Sequence, residues 1–225
     1  MPLGKLPHEQ LAHLLERYAT DDPHLLVGPG LGEDATVIDL GHDFGDRLLV
    51  AKTDPITFAS DEIGWYAVNV NANDVACMGA TPRWFLATLL LPEGRTDDAL
   101  VERIFGQIGR ACAALGISLA GGHTEITYGL DRPIVVGHML GEVARDRLVT
   151  TSGAQVGDVL LLTKGIAVEA TAIIAREKAE ELAGRFSAGF LARCQSFLRD
   201  PGISVVRDAQ AALAAGRVHA MHDPT

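Results

Sequence analysis

The sequence predicts an α/β fold of the α+β kind: a mixed sheet with helices on one face, followed by a second α/β unit. Three observations predict it. Apolar segments with strand or helix periodicity follow the order strand, strand, helix, strand, helix, strand, strand. Hydrophobic residues make up 48% of the chain and charged residues 21%, as in ordinary globular proteins. The length of 225 residues allows one large or two modest domains.

The first elements are a helix and two strands. Residues Pro7–Tyr18 carry apolar side chains at helical spacing, which predicts an amphipathic helix. Residues Ala35–Leu40 and Arg47–Lys52 predict two strands joined by a hairpin-like connection. Asp34 directly precedes the first strand and Asp54 follows the second, so the pattern predicts two carboxylates at strand ends. For each of them the alternative is an ordinary turn residue.

The stretch Ala67–Arg83 is the most unusual part of the sequence. Its apolar residues recur three and four positions apart, which predicts a buried helix that ends at Gly79. Polar side chains nevertheless interrupt this apolar run, at Asn69, Asn71, Asn73 and Asp74. Burying such groups without partners costs free energy. They therefore either face a ligand or metal, or form the solvated side of a half-exposed helix.

The next elements complete the sheet. The apolar run Trp84–Leu91 predicts a buried strand, and Asp97–Leu115 predicts a long amphipathic helix. Two further strands are predicted at Ile117–Ala120 and Ile134–Val143. Helices on one face leave the other face of the sheet uncovered. Because a second copy of the sheet would cover it, we expect a homodimer formed through the sheet.

A domain boundary is predicted near residue 150. Residues 1–150 form the N-terminal domain, and residues 151–225 begin a second domain with a strand at Asp158–Thr163. Helices are predicted after this strand, at Gly165–Lys178, Glu180–Phe197 and Ser204–Ala215. No closing strand follows them, so we expect the second domain to be incomplete in this sequence.

Composition excludes several classes of function. The formal net charge of −10 argues against nonspecific binding to nucleic acid or anionic membranes, which requires clustered Lys and Arg. The cysteines at 77, 112 and 194 are isolated and predict reduced core residues of a cytoplasmic protein. The N-terminus is too polar for a signal peptide, and no apolar run is long enough to span a bilayer.

A glycine-rich loop precedes the first strand. Between Val27 and Asp34, glycines stand at positions 28, 30 and 32. Such a loop can bring backbone N–H groups close to an anion. Most stretches of this kind are only turns, so the loop gains meaning from the acidic residues that follow it.

Five motifs in this order resemble the superfamily of aminoimidazole ribonucleotide (AIR) synthetase. They are Gly32–Ile38, Thr53-Asp54, Asn73–Ala80, Gly121–Thr124 and Ser152–Asp158. Relatives in this superfamily include thiamine-monophosphate kinase, selenophosphate synthetase and the hydrogenase-maturation carbamoyl dehydratase. The resemblance implies an ATP-dependent enzyme that activates an oxygen-bearing acceptor by phosphorylation, and a dimer that holds Mg-ATP near its interface.

The resemblance also implies site residues. The acidic positions that bind Mg²⁺ correspond to Asp34, Asp54 and Asp74. ATP-binding positions correspond to Gly30, Gly32, Asn73, Gly121, Gly122 and Thr124. The implied catalytic residues are Asp54 and His123; for His123 the alternative is a hydrogen-bonded core histidine. Carboxylates suit this role, since Mg²⁺ prefers carboxylate and phosphate oxygens and phosphoryl transfer depends on charge neutralisation.

The branch within the superfamily stays open at this point. The Gly-Gly-His form around His123 resembles selenophosphate synthetase, but the N-terminal Cys or selenocysteine of that enzyme is absent. Residues 129–137 and the ending His222–Thr225 resemble the hydrogenase-maturation branch most closely. The partner would be a small-molecule or protein acceptor of a carbamoyl or phosphate group. The alternatives are a kinase similar to thiamine-monophosphate kinase and a non-catalytic nucleotide-binding homologue that acts through protein partners.

Overall fold

A computed structural model describes residues 6–19, 22–41 and 45–224 of the chain. Its centre is a six-stranded sheet with the strand order β1-β2-β3-β6-β4-β5. The strands are β1 (Leu25–Val27), β2 (Thr36–Ile38), β3 (Arg47–Ile56), β4 (Thr81–Pro92), β5 (Ser118–Thr127) and β6 (Ile134–Ala144). Neighbouring strands are antiparallel except β4 and β5, which run parallel. The predicted mixed sheet is therefore confirmed.

The helices of the N-terminal part are α1 (His8–Tyr18), α2 (Ile63–Cys77) and α3 (Asp98–Leu115). Helix α2 packs against β3, β6 and β4, and α3 packs on α2. Helix α3 also makes the crossover that parallel strands such as β4 and β5 require. Both helices lie on one face of the sheet, as the sequence predicts, and the hydrophobic core lies between them and that face.

The opposite face of the sheet is largely open. Along β4 and β6, buried side chains on the helix face alternate with partly exposed ones on the other face. Trp84 on the open face is 41% exposed, and Leu86, Leu90 and Leu140 are only partly covered. This pattern follows from the period of two in a strand, and it leaves an apolar surface beside β5.

Three details of the strands differ from the sequence-based expectations. Strand β3 continues to Ile56, so Asp54 lies within the strand and not after its end. Strand β5 runs through the whole Gly-Gly-His-Thr motif. Strand β1 was not predicted, because three residues are too few to show a period.

The C-terminal part of the described chain is helical: α4 (Val168–Glu177), α5 (Ala179–Ala183), α6 (Ala188–Ser196) and α7 (Val206–Ala215). Helix α7 packs against α2, and residues of α4 and α7 join the core of the sheet domain. The division into domains at residue 150 stays a prediction. No described helix is long and apolar enough to cross a membrane.

The strand predicted at Asp158–Thr163 is wrong for this structure. These residues carry no secondary structure, and Val159, Leu160 and Leu161 are 82%, 97% and 82% exposed. A strand requires a hydrogen-bonded neighbour, and no strand of the described chain lies beside this segment. The apolar pattern alone could not reveal that absence.

Candidate functional site

Helix α2 buries its polar side chains. Asn69, Asn71, Asn73 and Asp74 are at most 4% exposed, so the alternative of a half-exposed helix with a solvated face is wrong. Asn69 donates a hydrogen bond to the Trp65 carbonyl one turn earlier, at 2.8 Å. Asn73, predicted to bind ATP, donates to the Ile203 carbonyl at 2.9 Å and accepts from the Val205 N–H at 2.8 Å. Its side chain thus joins α2 to the C-terminal part.

Asn71 fixes the position of Asp54. Its side-chain oxygen accepts a hydrogen bond from the Asp54 backbone N–H at 2.8 Å, and its amide group donates to the Asp54 carbonyl at 3.3 Å. Gly137, which pairs with Asp54 on the neighbouring strand, leaves the space for this contact, because an added Cβ would overlap the Asn71 amide. The motifs in the sequence did not single out Asn71 as the residue that orients Asp54.

Lys52 lies between two of the predicted acids. Its Nζ atom is 2.8 Å from Asp74 Oδ2 and 3.3 Å from Asp54 Oδ2. Burial works to lower the pKa of Lys52, but the two carboxylates outweigh it, and the pKa lies above its ordinary value. Burial raises the pKa of Asp74, and the Lys52 ammonium opposes that rise. Two carboxylates from a strand and a helix therefore meet at one cation.

The third predicted acid, Asp34, is held by residues far along the chain. Its side chain is buried and accepts hydrogen bonds from Thr151 Oγ1 at 3.3 Å and from the ring of His222, whose Nδ1 lies 2.7 Å away. Burial raises the pKa of Asp34; His222 and the Asp223 backbone N–H oppose the rise. The segment around Asp223 is thus brought against the start of the sheet, a contact that the sequence did not predict.

Three acidic residues influence the thiol of the buried residue Cys77. Burial raises the pKa of Cys77, and the charges of Asp34, Asp223 and Asp74 raise it further. Asp54 and Asp223 in turn contribute to the raised pKa of Asp74. Asp34, Asp74 and Asp223 therefore lie near Cys77, and Asp54 lies near Asp74. That Asp34, Asp54 and Asp74 bind one metal ion stays a prediction.

The oxygen donors of this region suit Mg²⁺, but they are not arranged as a ready-made metal site. Within residues 6–19, 22–41 and 45–224, no group of three or more His, Cys, Asp or Glu side chains is placed to hold a metal ion. Lys52 contacts Asp54 and Asp74, and His222 contacts Asp34. A divalent cation would have to take carboxylate oxygens that these side chains now contact.

A cavity of about 480 Å³, a size typical of small-ligand sites, is lined by Asp34 and Lys52 but not by Asp54 or Asp74. The glycine-rich loop, Asp34 and Lys52 all contribute to its wall. Its lining includes Gly28, Gly30, Glu33, Asp34, Thr36, Lys52, Thr53 and His138. Gly30 thus lies in the wall of this cavity, and its role in binding ATP stays a prediction. Gly32 adopts the left-handed backbone that glycine favours, with φ of 81°, but it does not line this cavity.

A larger cavity of about 720 Å³ lies elsewhere, between residues 146–155 and 213–219. None of the predicted site residues lines it. The chemistry therefore favours the smaller cavity, which Asp34 and Lys52 line, as the candidate site.

The motif Gly121–Thr124 is not brought to the acids within one chain. It lies on β5, at the edge of the sheet, whereas Asp54 lies on β3. Strands β6 and β4 stand between them. Three strand spacings amount to roughly 14 Å. The predicted catalytic residues Asp54 and His123 are thus separated in the single chain.

Two residues of this motif have a clear local environment. Gly122 packs so closely on β4 that an added Cβ would overlap the Ala87 carbonyl. Packing alone therefore explains why this position is a glycine. The His123 side chain is 67% exposed and lies 3.5 Å from Glu125. The alternative of a buried core histidine is therefore wrong for the single chain.

Comparison with known proteins connects this geometry to a family. Residues 32–143 match the family model described as "AIR synthase related protein, N-terminal domain". The selenide, water dikinase of Photorhabdus laumondii is 35% identical to the chain over 156 residues. That match covers 67% of this chain and 43% of the relative. The chain thus spans less than half the length of this curated relative.

Solved structures share the fold. Thiamine monophosphate kinase from Aquifex aeolicus superposes with a TM-score of 0.68 at 19% identity, covering 95% of this chain and 66% of that chain. The hydrogenase maturation protein HypE from E. coli superposes with a TM-score of 0.65 at 21% identity, covering 96% and 63%. Residues 32–143 therefore form an AIR synthase related N-terminal domain, and the chain belongs to the AIR synthase superfamily.

Proposed function

We propose that this chain is an ATP-dependent enzyme of the AIR synthase superfamily that binds Mg-ATP at the acidic region of Asp34, Asp54 and Asp74. One observation carries the proposal: Asp54 and Asp74, from a strand and a helix, both contact the single ammonium of Lys52. Two carboxylates that share one cation in this way are oriented to share another. Magnesium would supply charge neutralisation to the phosphates.

Related proteins support the choice of nucleotide. One fold neighbour is described as AaThiL complexed with AMPPCP and TMP, and another as HypE in complex with ATP, the latter 25% identical to this chain. Gly28 and Gly30 of the glycine-rich loop line the cavity, and their backbone N–H groups would be the donors to the phosphates. Asn71 would orient Asp54 through the backbone hydrogen bonds described above.

For the acceptor we propose only a chemical class and not a particular substrate. The chain would activate an oxygen-bearing small molecule or protein by phosphorylation in the cytoplasm, and we place it in hydrogenase maturation on the resemblance of residues 129–137. A kinase acting like thiamine monophosphate kinase and a non-catalytic nucleotide-binding homologue are the alternatives. ATP turnover separates the last of these from the other two.

Isothermal titration with ATP tests the proposal. We expect binding in the presence of Mg²⁺ and little or none in excess chelator. The net charge of −10 and the clustered carboxylates repel a bare polyphosphate, whereas a divalent cation reverses the sign of that interaction. ATP affinity that is the same with Mg²⁺ and with chelator would show that the carboxylates have only a structural role.

We also predict a homodimer formed through the open face of the sheet. The partly exposed side chains of β4 and β6 and the exposed motif on β5 lie on this side of the chain or at its edge. Burying such a surface against a second copy removes apolar area from water. Light scattering coupled to size exclusion should give twice the mass of the chain; a monomer at micromolar concentration would contradict this prediction.

A further inference from the structure

We infer that Lys52 is a built-in cation of the acidic region, which holds Asp54 and Asp74 together and competes with divalent cations for their carboxylates. The inference rests on the proposed function only in taking these acids as metal ligands. It assigns to Lys52 a role in setting how tightly the free protein binds metal.

The geometry follows from strand periodicity. Residues two apart on a strand point to the same face, so Lys52 and Asp54 both face α2, where Asp74 lies. The Lys52 side chain is only 20% exposed, and those of Asp74 and Asp54 are 6% and 36% exposed. The ammonium therefore lies in a partly desolvated position between two carboxylates and not in free solution.

The charge of Lys52 decides what its contact with Asp74 does. Among the described residues, Lys52 is the cation that forms an ion pair with Asp74. A buried carboxylate is costly without an opposite charge, and Lys52 supplies that charge in the metal-free protein. A divalent cation bound to Asp74 Oδ2 would lie against the ammonium, and like charges at this distance repel. Metal binding to the free protein therefore requires Lys52 to move away.

Removing the ammonium should favour the metal. In Lys52→Met the aliphatic part of the side chain keeps its packing, while both carboxylates lose their cation. We expect Mn²⁺, added alone without nucleotide, to bind Lys52→Met at least tenfold more tightly than the wild type. Lys52→Arg keeps the charge and should bind Mn²⁺ as weakly as the wild type.

The experiment titrates Mn²⁺ into each protein and follows the electron paramagnetic resonance signal of the free ion. Lys178→Met is the matched control, because it makes the same change at an exposed residue. Mn²⁺ affinity of Lys52→Met equal to or weaker than that of the wild type would overturn the inference. So would a gain of the same size in Lys178→Met, which would indicate only a change in net charge.

The fold is checked by thermal unfolding with and without Mn²⁺, and Lys52→Gln is a second variant with a neutral side chain that still donates hydrogen bonds. A neutral variant that folds only with Mn²⁺ supports the inference, because the metal then replaces the ammonium. If both neutral variants stay unfolded even with Mn²⁺, the inference is overturned.

Titration of the wild type with Mg-ATP separates this inference from the proposed function. Wild-type protein that binds Mg-ATP while Lys52→Met gains no Mn²⁺ affinity would overturn the inference alone. Wild-type protein that fails to bind Mg-ATP while Lys52→Met gains Mn²⁺ affinity would overturn the proposed function and support the inference.

Discussion

Asp74→Asn is expected to weaken Mg-ATP binding by at least tenfold, which corresponds to about 1.4 kcal/mol or more. The substitution keeps the shape of the side chain and removes one negative charge. Because α2 is buried around Asp74, the helix fixes the direction of this side chain. Lys52 would then lack its closest negative partner and would add unbalanced positive charge where the metal should bind.

Isothermal titration with Mg-ATP measures this effect, and thermal unfolding shows whether the variant is folded. Asp131→Asn is the matched control, since it removes the same charge from an exposed residue of the β5–β6 connection. Affinity of Asp74→Asn within twofold of the wild type would show that Asp74 serves only to pair with Lys52.

Asn71→Ala is expected to destabilise the fold by about 3 kcal/mol, because it removes a fully buried side chain with several hydrogen bonds. The Asp54 N–H loses its partner at 2.8 Å, and the Ala67 carbonyl loses a donor at 2.8 Å. A cavity also remains beside Gly137, which has no side chain to fill it. For a chain of this length the melting temperature should fall by roughly 6–12 °C.

Urea unfolding of the wild type and of Asn71→Ala measures the difference in their free energies of unfolding. Asn69→Ala is the control, because Asn69 is equally buried but makes one local bond to Trp65 within its own helix. We expect Asn69→Ala to lower the free energy of unfolding by about 1 kcal/mol. Equal losses for Asn71→Ala and Asn69→Ala would mean that the contact between α2 and Asp54 adds nothing beyond burial.

Much of the fold was predictable because it depends on local pattern. Helix α3 lies within one residue of its predicted bounds, since its apolar residues recur at helical spacing and Gly116 ends it. The prediction of a strand at Asp158–Thr163 was wrong because a strand does not depend on local pattern alone. Its apolar residues satisfy the pattern of a strand, but a strand also needs a neighbour, which only the assembled sheet can provide.

For the candidate site, too, the sequence predicted one part and the tertiary structure decided the other. The sequence by itself determined which side chains are present. They are the carboxylates at 34, 54 and 74, a glycine-rich loop before them, and asparagine amides on a helix whose other residues are mostly apolar. These residue types already indicate oxygen ligands for a hard cation. Their order along the chain also identifies the superfamily.

Only the tertiary structure decided how these side chains meet. Lys52 lies between Asp54 and Asp74 because one face of β3 packs against α2, where Asp74 stands 20 residues after Asp54. His222 reaches Asp34 across 188 residues, and β6 and β4 separate His123 from Asp54. The separation of His123 from Asp54 is set by the order in which the strands pair. That order depends on contacts between residues far apart in the chain, which no local periodicity records.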